Sequence, residues 1–137
     1  MAVVDEKVDS FLRQPRVAVL GTSNGDGTPL LTPMWFTWED GGAYMITGRK
    51  SIKWRNIQLR PYASLCVDHR DPPYASVIVS GPIKEVDKPA YEIIRSMALR
   101  YLGDKEGQEY ANQYKDNPMS TVVFHLIPDR VARNLNS

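Results

Sequence analysis

The first apolar positions recur at helical spacing. Val4, Val8, Phe11 and Leu12 stand at i, i+4, i+7 and i+8, one stripe on a short N-terminal helix that Pro15 ends. Residues 16–22, RVAVLGT, then read as a buried strand. Asn24-Gly25-Asp26-Gly27 reads as a hairpin turn, because Gly and Asn tolerate the positive φ that such turns need. The next stretch, Pro29 to Trp38, carries Leu30, Leu31, Met34, Trp35, Phe36 and Trp38, with Pro33 marking a bulge or a sheet edge. Trp35, Phe36 and Trp38 are expected to divide between the two faces of that stretch, Trp35 and Trp38 on one and Phe36 on the other. A second turn, Glu39-Asp40-Gly41-Gly42, leads into the strand 43–47. Three strands joined by two tight turns predict an antiparallel meander.

Beyond residue 47 the pattern changes. Gly48-Arg49-Lys50 reads as a polar loop, Ser51 as a helix N-cap, and 52–60 as a helix that stops before Pro61. Residues 63–69 and 74–81 read as two further strands, the second continuing through Pro82 to Val86 past a Gly-Pro bend. Lys88-Pro89 opens a helix with Tyr91, Ile94, Met97, Ala98, Tyr101 and Leu102 on one side. Residues 103–116 read as a polar helix and 121–127 as the last clear strand. The tail PDRVARNLNS either extends that strand or lies across a partner. Six short strands with few helices predict a small closed β-barrel, since closure removes exposed edges.

Composition narrows the class. A chain of 137 residues with 42% hydrophobic and 24% charged residues reads as one globular domain spanning 1–137. Seventeen Lys and Arg against 16 Asp and Glu leave a net charge of +1, which gives no general pull toward nucleic acid or an acidic membrane. No apolar run approaches the roughly 20 residues of a membrane span, and the N-terminus lacks the form of a secretory signal. The expected compartment is the cytoplasm. One cysteine, Cys66, and two histidines, His69 and His125, are too few for a metal cluster. Cys66 reads as inert core, His69 as a loop residue and His125 as a structural histidine. A domain of this size encloses one modest core, so a large ligand calls for a second subunit.

The chemically informative stretch is ITGRKSIKWRNIQLRP, residues 46–61. Arg49, Lys50, Lys53 and Arg55 put four cations within seven residues, around a helix start capped by Ser51. Free N–H groups and the helix dipole make that end an anion site, where cations alone are unfavourable until an anion joins them. The other reading of the cluster is a solvated face. GRKSxK is not a Walker sequence, and no GxGxxG follows a strand, so nucleotide hydrolysis and a Rossmann site are disfavoured. Trp54 either lines a site or meets another subunit.

Taken together, PLLTPMWFTWEDGGAYMIT, GRKSIKWRNIQLRPYASLCVD and YASVIVSGPIKEV resemble the flavin/deazaflavin split β-barrel superfamily. That group holds pyridoxamine 5′-phosphate oxidase and the short oxidoreductases dependent on the deazaflavin coenzyme F-420, and the likeness is closest to the latter. Its most specific pieces are G-x-P-x-x-x-P-M-W-F, Lys53-Trp54-Arg55-Asn56, and Leu59-Arg60-Pro61 running into a strand that ends in Val67-Asp68. The resemblance implies a mainly β, six-stranded antiparallel split barrel of the FMN-binding type.

It also implies a site. The ring of the cofactor is expected against Thr32, Pro33, Met34 and Trp35, with Ile46 and Thr47 beside them, and its phosphate at Arg49, Lys50, Ser51 and Lys53. Ser76 matches a position that can reach the cofactor of a partner subunit. Ile52 stands where the flavin phosphate oxidases often carry Arg, which favours coenzyme F-420 over FMN. The surplus of cations suits the acidic tail of a deazaflavin. The implied activity is hydride transfer to an unsaturated small organic substrate by a homodimer, with no proton donor identified. The alternatives are an FMN-dependent oxidoreductase like pyridoxamine-phosphate oxidase, and a flavin, deazaflavin or haem binder without turnover. The long C-terminal substrate segment of pyridoxamine-phosphate oxidase has no counterpart after the last strand, so that particular oxidation is disfavoured.

Overall fold

The computed structural model describes residues 3–115 and 120–135. Helix α1 (Glu6–Leu12) starts at Asp5, whose carboxylate accepts from the Val8 N–H, and buries Val8, Phe11 and Leu12. Eight strands follow: β1 (Ala18–Ser23), β2 (Pro29–Met34), β3 (Thr37–Glu39), β4 (Gly42–Gly48), β5 (Tyr62–His69), β6 (Ala75–Glu85), β7 (Thr121–Leu126) and β8 (Arg130–Asn134). Helix α2 (Ile52–Leu59) lies between β4 and β5, and α3 (Ala90–Leu102) and α4 (Asp104–Asn112) lie between β6 and β7. The last residue of the helix expected over 103–116 and the final two of the tail lie outside the described residues.

The strand order is β2-β1-β5-β6-β7-β4-β3, with β8 on β6 and every pairing antiparallel. This is a split β-barrel, curled about one core and carrying helices on its outside. Strand β6 joins the two halves: residues up to Pro82 pair with β5, and Ile83–Glu85 pair with β7. The Gly-Pro bend is where the strand changes sheet without ending. A Cβ on Gly81 would stand 2.1 Å from the Ile127 carbonyl oxygen, so only glycine permits the crossing.

Four sequence expectations change. Eight strands form among the described residues where six were expected. The meander is broken, because β2 and β3 stand at opposite ends of the strand order. Pro33 sits on the edge strand β2, and the chain leaves that edge at Met34 to cross to the other half. The aromatic run sorts differently: Phe36 and Trp38, two residues apart, both enter the main core, while Trp35 faces the other way into a second cluster, because strand positions of the same parity share a face. The tail neither extends β7 nor projects away. It turns at Pro128 and returns along β6, Ser80 facing Arg130 and Ser76 facing Asn134.

The main core is closed by Leu20, Phe36, Met45, Leu65 and Phe124, each without solvent exposure. Burying a side chain of that size stabilises by about 1.5–3 kcal/mol. Trp54, expected at a site or an interface, is instead in this core, tilted against Phe124. Strand β4 is covered on both faces: Ala43 and Met45 face the main core, Tyr44 and Ile46 the second cluster under α3. Arg100 ties α3 to α1 by donating to the carbonyl oxygens of Leu12, Arg13 and Gln14, which the helix end leaves without partners. His125 is buried, stacks on Tyr44 and donates from Nε2 to the Glu39 carbonyl oxygen. Cys66, expected inside, lies half-buried on the outer face of β5 between Val19 and Ile78, where burial pushes its thiol pKa up.

Candidate functional site

The end of β2, the end of β4 and the two helices α3 and α4 enclose a cavity of about 340 Å³. Pro33, Met34 and Trp35 form one wall and Ile46, Thr47 and Gly48 another. Ile94 and Met97 of α3 with Tyr110 and Tyr114 on the α4 side close it. The volume and the largely apolar lining are those of a small-molecule pocket. Trp35 is its most elaborately held residue. Its ring stacks on Tyr101 at 5.0 Å and 11°, and Tyr110 leans against it at 5.3 Å. Tyr114 continues the row, 5.3 Å from Tyr110, and its hydroxyl donates to the Tyr110 oxygen. The bond between the two hydroxyls, with burial, raises the Tyr110 pKa.

One hydrogen bond connects this cavity to the basic loop. Thr47 Oγ1 lies 3.0 Å from Ser51 Oγ, and Ser51 Oγ accepts from the Trp54 N–H, capping α2 as the sequence predicts. The cap fixes the N-terminus of α2 beside the cavity wall. Asn56 anchors the same helix from beneath, donating to Thr22 Oγ1 and Asn24 Oδ1, and Arg60 donates twice to the Ser23 carbonyl oxygen.

The four loop cations differ. Arg49 is exposed and paired with Glu85 at 3.0 Å. Lys50 and Arg55 are exposed. Lys53 is half-buried and makes no ion pair among the described residues, so burial pulls its ammonium pKa down. An uncompensated cation beside free helix N–H groups is an arrangement that favours an anion.

Of the eleven site residues expected from sequence, Pro33, Met34, Trp35, Ile46 and Thr47 line the one cavity. Arg49, Lys50, Ser51 and Lys53 follow directly from its wall at Gly48. Thr32 lies on β2 opposite Leu20, half-buried and off the cavity lining. Ser76 lies elsewhere in the chain, in a separate concavity with Asp68, Arg70, Tyr74 and Asn134. Sequence reasoning missed Tyr110 and Tyr114. Their signal was two aromatics at i and i+4 in an otherwise polar stretch.

Fold and site together define a split-barrel protein with a ring-sized pocket joined to a capped, cationic helix start. The profile of the pyridoxamine 5′-phosphate oxidase family matches residues 4–133, and the chain belongs to that family. No curated protein matches the chain in sequence. Among solved structures it is similar to a conserved hypothetical protein of Mycobacterium tuberculosis, at 25% identity and a TM-score of 0.78, covering 96% of this chain and 85% of that one. It is also similar to an F420 reductase, at 27% identity and a TM-score of 0.77, covering 94% and 98%. The haem storage protein HutZ of Vibrio cholerae shares the fold at 15% identity and a TM-score of 0.70, covering 94% and 93%. Among the described residues no helix is long and apolar enough to cross a membrane.

Proposed function

We propose that this protein is an oxidoreductase that holds a reduced deazaflavin, coenzyme F-420, and delivers hydride to an unsaturated small organic substrate. The observation that carries the reading is the Thr47–Ser51 hydrogen bond. It joins a pocket able to take a flat ring to a capped helix start with an unpaired lysine. The likeness to an F420 reductase over nearly the whole of both chains supports it.

When bound, the cofactor supplies the hydride; the chain supplies binding and surroundings. Pro33–Trp35 and Ile46–Thr47 would take the ring, and Ser51 and Lys53 with the α2 N–H groups the phosphate. Arg49 and Lys50 remain at the rim for an acidic tail. Ile52 is 64% exposed and adds no donor to the phosphate site, which disfavours FMN. The apolar lining and the row of aromatic rings keep water and charge from the reacting ring.

The working unit in this reading is a cytoplasmic homodimer. The outer face of the β2-β1-β5-β6 sheet carries Leu31 and Ile78 in the open, with Val19 and Cys66 between. Contiguous exposed apolar surface of this kind marks an interface. Ser76 stands on that same face of β6, two residues from Ile78, which is where a residue serving a partner's cofactor belongs. Titration with coenzyme F-420 and with FMN, followed by fluorescence and then by turnover with an added acceptor, tests the reading. Tighter binding of the deazaflavin is expected. Equal or tighter binding of FMN would shift the assignment to a flavin oxidoreductase, and binding without turnover would make the protein a carrier.

A further inference from the structure

A second cleft, of about 440 Å³, opens between α1 and the start of β6 and shares no lining residue with the cofactor cavity. We propose that it is a binding site for a small organic monocarboxylate with an apolar body, and that the Arg16 guanidinium is its anion anchor.

Arg16 is built into the wall rather than left on the surface. One of its terminal nitrogens donates to the Phe11 carbonyl oxygen at 3.0 Å and the other to Gln14 Oε1 at 2.8 Å. Its guanidinium carbon lies 4.0 Å from the centroid of the Phe11 ring. The backbone is held too, since the Tyr101 hydroxyl donates to the Arg16 carbonyl oxygen at 2.7 Å. These contacts fix the fork in place, yet no carboxylate pairs with it among the described residues. Five N–H donors are available on a guanidinium and two are engaged, so the rest are free for a bidentate carboxylate. Burial and the like charge of Arg100 lower the Arg16 pKa, outweighing the opposing pull of the Asp68 carboxylate across the adjoining groove, which makes no ion pair with it. An arriving carboxylate would supply a counter-charge at little conformational cost, because the fork is already ordered.

The rest of the lining sets the body of the ligand. Phe11, Pro73, Ala75 and Leu135 are apolar and flank the arginine. Ser10 and His69 add hydrogen-bonding capacity. Glu6 and Lys7 also border the cleft, both exposed and of opposite sign, so they leave Arg16 as the charge that selects. Arg16 and His69 line an adjoining groove that reaches Val19 and Pro33, and Pro33 is itself on the wall of the cofactor cavity. The assignment of the cleft does not depend on which cofactor the cavity takes.

The probe is 3-phenylpropanoate, compared with its uncharged analogue 3-phenylpropanamide by heteronuclear NMR titration of the whole protein. Binding of the acid at low millimolar concentration is expected, with shifts centred on Ser10, Arg16, His69 and Ala75, and at least about tenfold preference over the amide. Arg16→Gln should erase the preference, leaving acid and amide equal, whereas Ala75→Phe should fill the cleft and abolish both. The comparison of acid with amide on the unaltered protein decides the matter even if Arg16→Gln does not fold. No binding of the acid at about 10 mM, equal binding of the two probes, shifts centred elsewhere, or a preference that survives in Arg16→Gln would overturn the proposal.

Discussion

Tyr101 holds Trp35 flat, its ring 5.0 Å away and within 11° of parallel, while its hydroxyl reaches past the stack to the Arg16 carbonyl oxygen. The Tyr101 hydroxyl oxygen in turn accepts from the Phe36 N–H at 3.3 Å. One side chain of α3 thus fixes the wall of the cofactor cavity, the break between β2 and β3, and the exit of the chain from α1. Tyr101→Phe keeps the stack and removes both hydrogen bonds. It should destabilise the protein by about 1–3 kcal/mol, the cost of leaving partly buried backbone groups without partners. Tyr101→Leu removes the stack as well, worth about 0.5–1.5 kcal/mol more. Urea denaturation measures both. A loss below about 0.5 kcal/mol in Tyr101→Phe would mean that water replaces the hydroxyl.

Tyr44 predicts behaviour in alkali. It is 4% exposed, donates to Asp40 Oδ2 at 2.6 Å, and its phenol pKa is pushed up to about 12, first by burial and then by the Asp40 carboxylate. An unfolded tyrosine ionises near pH 10. Because the folded pKa is the higher, the contribution to stability is complete below about pH 10 and is lost as pH rises toward 12. Over that window the stability of the native protein should fall more steeply with pH than that of Tyr44→Phe, as seen by chemical denaturation at stepped pH. Absorbance of tyrosinate should show one late-titrating phenol that the variant lacks. Superimposable pH profiles would refute the burial of this hydroxyl.

Much of this was legible in the chain, and the failures have physical causes. The Ser51 cap and the N-G-D-G turn are local signals, and each formed as expected because tertiary contacts agree with local preference. The stripe on α3 formed around Ile94, Met97 and Ala98, but Ile93 is buried with them while Leu102, expected on the same side, is exposed past the helix packing. The split between β2 and β3 is not local. The sequence shows a turn-free apolar run from Leu30 to Trp38, and nothing within it says that Met34 and Thr37 belong to opposite ends of the sheet. Trp54 was misplaced for a related reason. Its helix is polar overall, so its single buried face, Trp54 with Ile57, gives little periodic signal. Motif likeness grouped Pro33, Met34, Trp35, Ile46 and Thr47, which line one cavity. Tyr110 and Tyr114 were not in that group, since what brings them to Trp35 is the packing of α4 on α3.

Lys53 links stability and binding with opposite signs. In the free protein it is a half-buried cation without a partner, and its lowered pKa means that the unfolded chain binds the proton more tightly. Between the lowered folded value and the ordinary 10.5, stability therefore rises with pH. Lys53→Met removes the uncompensated charge, so the melting temperature of the free protein should hold or rise. Cofactor affinity should fall by about ten- to a hundredfold, the equivalent of losing one charge-assisted contact. The rate at saturating cofactor should change little, because a phosphate contact is uniform between ground and transition states. High salt should reproduce part of the loss. Unchanged affinity in Lys53→Met would identify the basic loop as a solvated face.

The outer sheet face makes the last prediction. Strand register aligns Pro33, Val19, Cys66, Ile78 and Ala132 in one row across five strands, with Leu31, Gly21, Ser64, Ser80 and Arg130 in the next. The first row is apolar throughout, and the second is small at its centre, where Ser64 and Ser80 satisfy each other at 2.6 Å. A flat surface without central charge lets a second copy approach closely about a two-fold axis. Ile78, 38% exposed near the middle of that row, is the position at which to break the contact. Ile78→Lys should leave the barrel intact, since the side chain points away from the core, but place two like charges against the opposing apolar surface. Light scattering should then report half the mass of the native protein. Cofactor affinity should drop as well, because Ser76 of one subunit no longer meets the site of the other. Cys66 gives an independent readout. Covered in a dimer, it should react slowly with a thiol reagent in the native protein and several-fold faster in Ile78→Lys. A native protein that is monomeric at micromolar concentration with cofactor present, or a Cys66 equally reactive in both forms, would exclude this face as the interface.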